Sequence, residues 1–126
     1  MTLETAQILC TAIQLNGGTA HYKSTHQKHP VVIWAAASQG NFNWLKQHGL
    51  ALAAEYTFRY GKQHACEEII RNCSDETIPA GELQQFAQCM PEQYKDENPV
   101  AAYKNYYRGS KREIARWTKR ATPYWF

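Results

Sequence analysis

The sequence predicts an all-α fold of five or six helices with an aromatic C-terminal tail. Three observations carry this. Apolar residues recur at spacings of three, four and seven, helix starts are marked by Pro30 and by Asn98-Pro99, and no segment alternates with the period of two that a half-buried strand needs. A chain of 126 residues with 44% hydrophobic content suits one compact helical domain over residues 1–126. No internal repeat or low-complexity tract interrupts it.

Leu3, Ile8, Leu9, Ala12 and Ile13 place a first helix between Thr2, its candidate cap, and Leu15, with Asn16-Gly17-Gly18 as the stop. The polar stretch up to Lys28 lacks apolar periodicity and is expected to be a mobile loop. From His29 to His64 the pattern is a helical hairpin, with Pro30 at the first helical position, a break at Gly40-Asn41 and Gly61 as the C-terminal stop. Asn41 is read as the cap of the second arm. Phe42, Leu45, Leu52 and Tyr56 form its apolar stripe, and Trp34 and Trp44 add buried area.

Ala65, Cys66, Ile69 and Ile70 predict a helix over 63–73, after which residues 74–81 form a turn-rich connection. A short turn at 84–88 and irregular chain through Asp96 follow, since Pro91 disfavours helical geometry at Met90. Asn98-Pro99 is a cap followed by a first-turn proline, and opens a helix with Val100, Tyr103 and Tyr107 on one side, ending near Gly109. Ser110 is read as the cap of a last helix, with Ile114 and Trp117 inward and Arg112, Arg116, Lys119 and Arg120 outward. Pro123 then forces an extended tail. Tyr124, Trp125 and Phe126 are expected to fold back onto the body, because an apolar cluster of that size is costly to expose.

Charge is unevenly divided. Residues 103–126 hold seven basic residues against the single acid Glu113, a net +6, while the remainder carries −3. Such asymmetry points to an anionic partner. No run approaches the eighteen apolar residues of a membrane span, and no signal-like segment opens the chain, so a cytoplasmic protein without a membrane partner is expected. None of the four cysteines lies in a C-x-x-C pair, and no thiolate or carboxylate is spaced to complete a site with His21, His26 and His29. Free thiols, no metal and no cofactor are the expectation.

Phosphate-loop, dinucleotide, nucleophile-elbow and zinc-protease motifs are absent. What remains is basic and aromatic. Glu55, Arg59, Lys62 and His64 bring four charge types to the end of the second hairpin helix. Such a grouping also arises from ordinary i,i+4 pairing and from cations favoured by the helix dipole. Lys104, Arg108, Lys111 and Arg112 alternate with Tyr103, Tyr106 and Tyr107, supplying cations for phosphates and flat rings for bases, although tyrosines at this spacing also serve as core.

Several spaced motifs carry a resemblance: H-P-x-x-x-W from His29, N-x-x-W-L from Asn41, E-Y-x-x-R-Y-G-K-x-H from Glu55, and W-T-K-R-x-x-P-x-W-F from Trp117. With M-P-x-x-Y-K and P-V-x-x-Y-x-x-Y-Y between them, they resemble a group of phage and prokaryotic proteins of unassigned biochemistry over nearly the whole chain. More loosely, through His29-Pro30, Trp34 and the 55–61 helix end, the chain resembles the pyrimidine dimer DNA glycosylases of the phage endonuclease V type. That resemblance implies an all-α enzyme that flips a nucleotide, attacks C1′ with an N-terminal amine and steadies the developing charge with a glutamate. Here Thr2 would carry the amine once Met1 is removed, and Glu4 or Glu55 would be the carboxylate. A D-K-H segment that precedes the first helix in the related chains has no counterpart.

Three readings follow. In the first, a DNA glycosylase or abasic-site lyase, Arg59, Lys62, His64, Arg108, Lys111 and Arg112 contact phosphates, Tyr107 or Trp117 stacks on a base, Glu55 acts near the sugar, and His29 and Trp34 line the pocket. The second is a non-catalytic binder that sequesters nucleotides or cyclic nucleotide signals, with the pocket closed between subunits of a homo-oligomer. A helical interaction module with a basic face for an acidic protein is the third.

Overall fold

The computed structural model describes residues 1–126 and contains five α-helices and no strand. The chain divides into two compact units, Met1–Gln84 and Gln85–Phe126.

The first unit holds α1 (Thr2–Leu15), α2 (Pro30–Ala37), α3 (Gln39–Tyr60) and α4 (Glu67–Asn72). Leu9 and Cys10 of α1, Ala35 of α2, Phe42 and Leu45 of α3, Ile70 of α4 and Ile78 share its apolar core. Gly49 sets the closest approach. A Cβ there would come within 2.6 Å of Thr5 Cγ2 and 3.2 Å of Ile70 Cδ1, so α1 and α4 both lean on a bare stretch of α3. Of the expected stripe, Phe42 and Leu45 are buried, while Leu52 and Tyr56 are half-buried; Gly49 and Ala53 complete the core face.

The start of α3 differs from expectation. Ser38 is the cap, its hydroxyl accepting from Asn41 N at 3.1 Å, and Gly40 and Asn41 lie inside the first turn. The physical reason is an extended strap, residues 79–84, laid across the helix start. Gln39 N donates to Pro79 O at 2.8 Å and Gly40 N to Gly81 O at 2.9 Å, which satisfies backbone donors that every helix start leaves over. Gly40 is required there, since a Cβ would fall 2.3 Å from Leu83 N. Fully buried Asn41 donates to Trp34 O (2.8 Å) and Gln84 Oε1 (3.1 Å) and accepts from Gln84 N (2.8 Å).

Other starts and stops follow the sequence more closely. Pro30 opens α2, and Gly61 ends α3 in the left-handed region at φ 72°, where a side chain is strained. Thr2 is the first residue of α1 and Met1 its cap position. The loop over 16–29 is tacked to α1: Thr25 N donates to Thr11 Oγ1 (3.1 Å) and Gln14 Nε2 to Tyr22 O (2.6 Å). The expected helix over 63–73 shortens to Glu67–Asn72, the preceding residues forming a turn in which Cys66 N donates to His64 Nδ1 at 3.0 Å.

In the second unit, no turn forms at 84–88; a single 3-10 turn at Glu92–Tyr94 precedes α5 (Pro99–Ser110). Asn98 caps α5 by accepting from Val100 N (2.9 Å) and Ala101 N (3.3 Å). The last helix expected after Ser110 does not form. Its ten or so residues are below the roughly 12–15 at which an isolated helix holds together in water, and of the arginines meant for its outer face Arg112 donates to Phe126 O while Arg116 donates to Glu113 O and Ala115 O. Ile114, expected inward, is 72% exposed.

Candidate functional site

At the C-terminal end of α3, Glu55 and Arg59 form a half-buried ion pair, Nε to Oε2 2.9 Å. Tyr56, between them in sequence, meets the His64 ring edge-on at 4.8 Å and the Tyr60 ring at 4.9 Å. At the start of α1 the Met1 ammonium, its nitrogen 2.7 Å from Glu4 Oε2, holds the Glu4 carboxyl below its ordinary range. Thr2 is buried within α1, and Lys62 is exposed beyond the helix end.

His29 and Trp34 have structural duties. The His29 imidazole accepts from Val31 N at 3.2 Å as the cap of α2. Trp34 meets Trp44 edge-on at 6.1 Å, and Trp44, itself 37% exposed, stacks on His48 at 5.0 Å. Burial lowers the His48 pKa from its ordinary value.

In the second unit the basic and aromatic residues pair with each other. Arg112 lies 4.6 Å from the Phe126 ring centre, Lys111 5.1 Å from Tyr106, and Lys104 and Arg108 5.6 and 5.9 Å from Trp125. Arg108 Nε also donates to Trp125 O and Arg112 Nη2 to Phe126 O. The rings interlock. Tyr107 meets Trp125 edge-on at 6.5 Å, and Trp117 meets Phe126 at 4.6 Å. Trp125 and Phe126 thus fold back as the sequence implied, whereas Tyr124 stays 98% exposed. Two further contacts hold α5: Tyr103 OH donates to Ala87 O at 2.6 Å, and Ser110 Oγ to Tyr94 OH at 3.0 Å.

All four cysteines are free thiols, and no group of three or more His, Cys, Asp or Glu is placed to hold a metal. Sequence reasoning missed a juxtaposition: Cys10 and Cys73 both line a cleft of about 320 Å³. No spacing rule could have found it, because the two residues come from α1 and from the end of α4.

No protein-family model, no curated protein and no solved structure matches this chain. No helix is long and apolar enough to cross a membrane.

Proposed function

We propose that this protein recognises single-stranded or distorted nucleic acid through the cation-and-ring surface of residues 103–126. One observation carries the reading: Lys104, Arg108, Lys111 and Arg112 each sit over an aromatic ring and none is paired with an Asp or Glu. A ring quadrupole holds a cation in place without cancelling its charge, so all four remain attractive to phosphates. Tyr124, adjacent to Trp125 in sequence, is an open ring, and stacking on it accepts any base.

Binding of a fluorescent single-stranded oligonucleotide should weaken as salt rises, with a log–log slope of about −0.7 for each phosphate contacted. The double substitution Arg108→Ala/Arg112→Ala should weaken binding and flatten that slope by roughly one to one and a half units. Absence of binding at low salt, or a slope indifferent to both arginines, would remove the proposal. Binding of mononucleotides or cyclic nucleotides alone, with a fixed stoichiometry and little salt dependence, would replace it with nucleotide sequestration.

The glycosylase-like reading extends to the first unit. An abasic-sugar aldehyde would condense with the N-terminal amine, releasing water and leaving an imine, with Glu4 or Glu55 as the nearby carboxylate. Borohydride reduction should then trap a covalent adduct on abasic DNA. Intact binding without an adduct would leave a non-catalytic binder.

A further inference from the structure

The tail offers α5 and the residues after it the same groups that a nucleic acid would. Arg108 Nε donates to Trp125 O and Arg112 Nη2 to Phe126 O, while Arg108 sits over the Trp125 ring and Arg112 over the Phe126 ring. Two consecutive residues therefore present, in order, an acceptor oxygen and a flat ring to each arginine. A single strand repeats that pattern, with a phosphate oxygen and a base at every step. Lys104 shares the Trp125 ring at 5.6 Å. Lys111 stands apart, because the ring under it, 5.1 Å away, is Tyr106 of α5 itself.

The tail is seated without being locked. Trp125 and Phe126 are half-buried against Tyr107 and Trp117, but no backbone hydrogen bond ties residues 121–126 to α5. Phe126 N donates to Pro123 O at 3.0 Å, which closes a turn inside the tail. Both carbonyls that reach outwards end on arginine side chains of exposed residues, where a competitor meets them.

Phosphate is the better partner for those arginines. Its oxygens carry charge and accept two parallel bonds from a guanidinium fork, whereas each tail carbonyl is neutral and takes one N–H. A base, in turn, presents to a cation a π-face like that of an indole or a phenyl ring. Exchange replaces like with like.

We infer that residues 123–126 are a built-in competitor for the nucleic-acid surface, occupying Arg108 and Arg112 in the free chain and leaving them when a strand binds. This rests on the nucleic-acid reading above and adds an order of events to it. Lys111 is available before the tail moves, and the two arginines engage the strand as Trp125 and Phe126 depart. The fraction of free chains whose tail is released scales the apparent affinity, so abolishing tail docking tightens binding.

The test compares binding of fluorescein-labelled oligo-dT to the full chain and to Trp125→Ala/Phe126→Ala, a variant that keeps Tyr124 and all four cations. The variant should bind about tenfold tighter, the factor for a tail docked in roughly nine free chains of ten. Arg112→Ala should cost more affinity in that variant than in the full chain, where it also loosens the tail, whereas Lys111→Ala should cost the same in both. A variant that binds equally or more weakly than a full chain that does bind would overturn the inference and leave the nucleic-acid reading standing. Absence of binding by both would remove the two together, and binding by the variant alone would support a docked tail that closes the surface. Amide exchange in the peptide over 118–126 of the wild-type chain decides the matter whether or not the variant folds. Saturating oligo-dT should speed that exchange, and unchanged or slower exchange would overturn the inference.

Discussion

The two units are held together by different physics. In residues 1–84 four helices bury Leu9, Val32, Phe42, Ile70 and their neighbours, whereas in residues 85–126 only Ala102 is buried to that degree among the hydrophobic residues. The second unit relies on cations over rings, rings on rings, and arginines that grip tail carbonyls. An apolar core excludes water and is indifferent to salt. A cation-and-ring assembly keeps its charge at the surface, so the same residues can hold the unit together and attract an anion. On the proposed function the first unit is the scaffold and the second the interface.

The largest expected effect tests the scaffold. Phe42→Ala should cost about 3–5 kcal/mol, read as a lower urea midpoint, because it empties the centre of a core shared by all four helices. A loss below about 1 kcal/mol would mean that the packing is far looser than close-packed interiors allow. Next comes Asn41→Leu, similar in volume but unable to hydrogen-bond. It leaves Trp34 O and Gln84 N without their partner and should cost about 1–3 kcal/mol, with new protease cleavage in the strap over 79–84.

Smaller effects belong to the second unit. Arg112→Ala should cost about 0.5–1 kcal/mol, the range for an exposed cation over a ring, and should make Trp117 fluorescence more accessible to a quencher. A cost equal to that of Phe42→Ala would erase the distinction between the two units. The smallest effect is on pH dependence. Burial favours neutral His48, so its folded-state pKa lies below the ordinary 6.5 and the folded state must bind that proton less well than the unfolded one. This contribution is complete above pH 6.5 and is lost as pH falls through that value towards the lowered one. His48→Gln should flatten the melting temperature of the first unit over that acid range, as measured by calorimetry.

Local signals were legible wherever one residue decides the backbone. Pro30, Gly61 and Asn98-Pro99 each impose or favour a φ or supply a capping oxygen, and each stands where the sequence implied. The α3 start was misread because Ser38 and Asn41 are both good caps. What decides between them is burial of Asn41 against Gln84, far along the chain. The same applies to the site. The Glu55–Arg59 pair follows from i,i+4 spacing, but the edge-on meeting of Tyr56 and His64 depends on how the chain turns after Gly61. After Ser110, helix periodicity was present in the sequence, yet the Phe126 ring and carbonyl offered Arg112 more than a short free helix could.

The strap across the start of α3 is held by its main chain: the carbonyls of Pro79 and Gly81 accept from α3, Glu82 O accepts from the Ser38 hydroxyl, and Gln84 N donates to Asn41. Its own side chains contribute little to that grip, and Leu83 remains 49% exposed. Mutational tolerance should therefore be lopsided. Positions 80, 82 and 83 are free to drift in sequence, while Ser38, Gly40 and Asn41, whose strap contacts are all to backbone save that of Asn41 to Gln84 Oε1, admit almost no substitute.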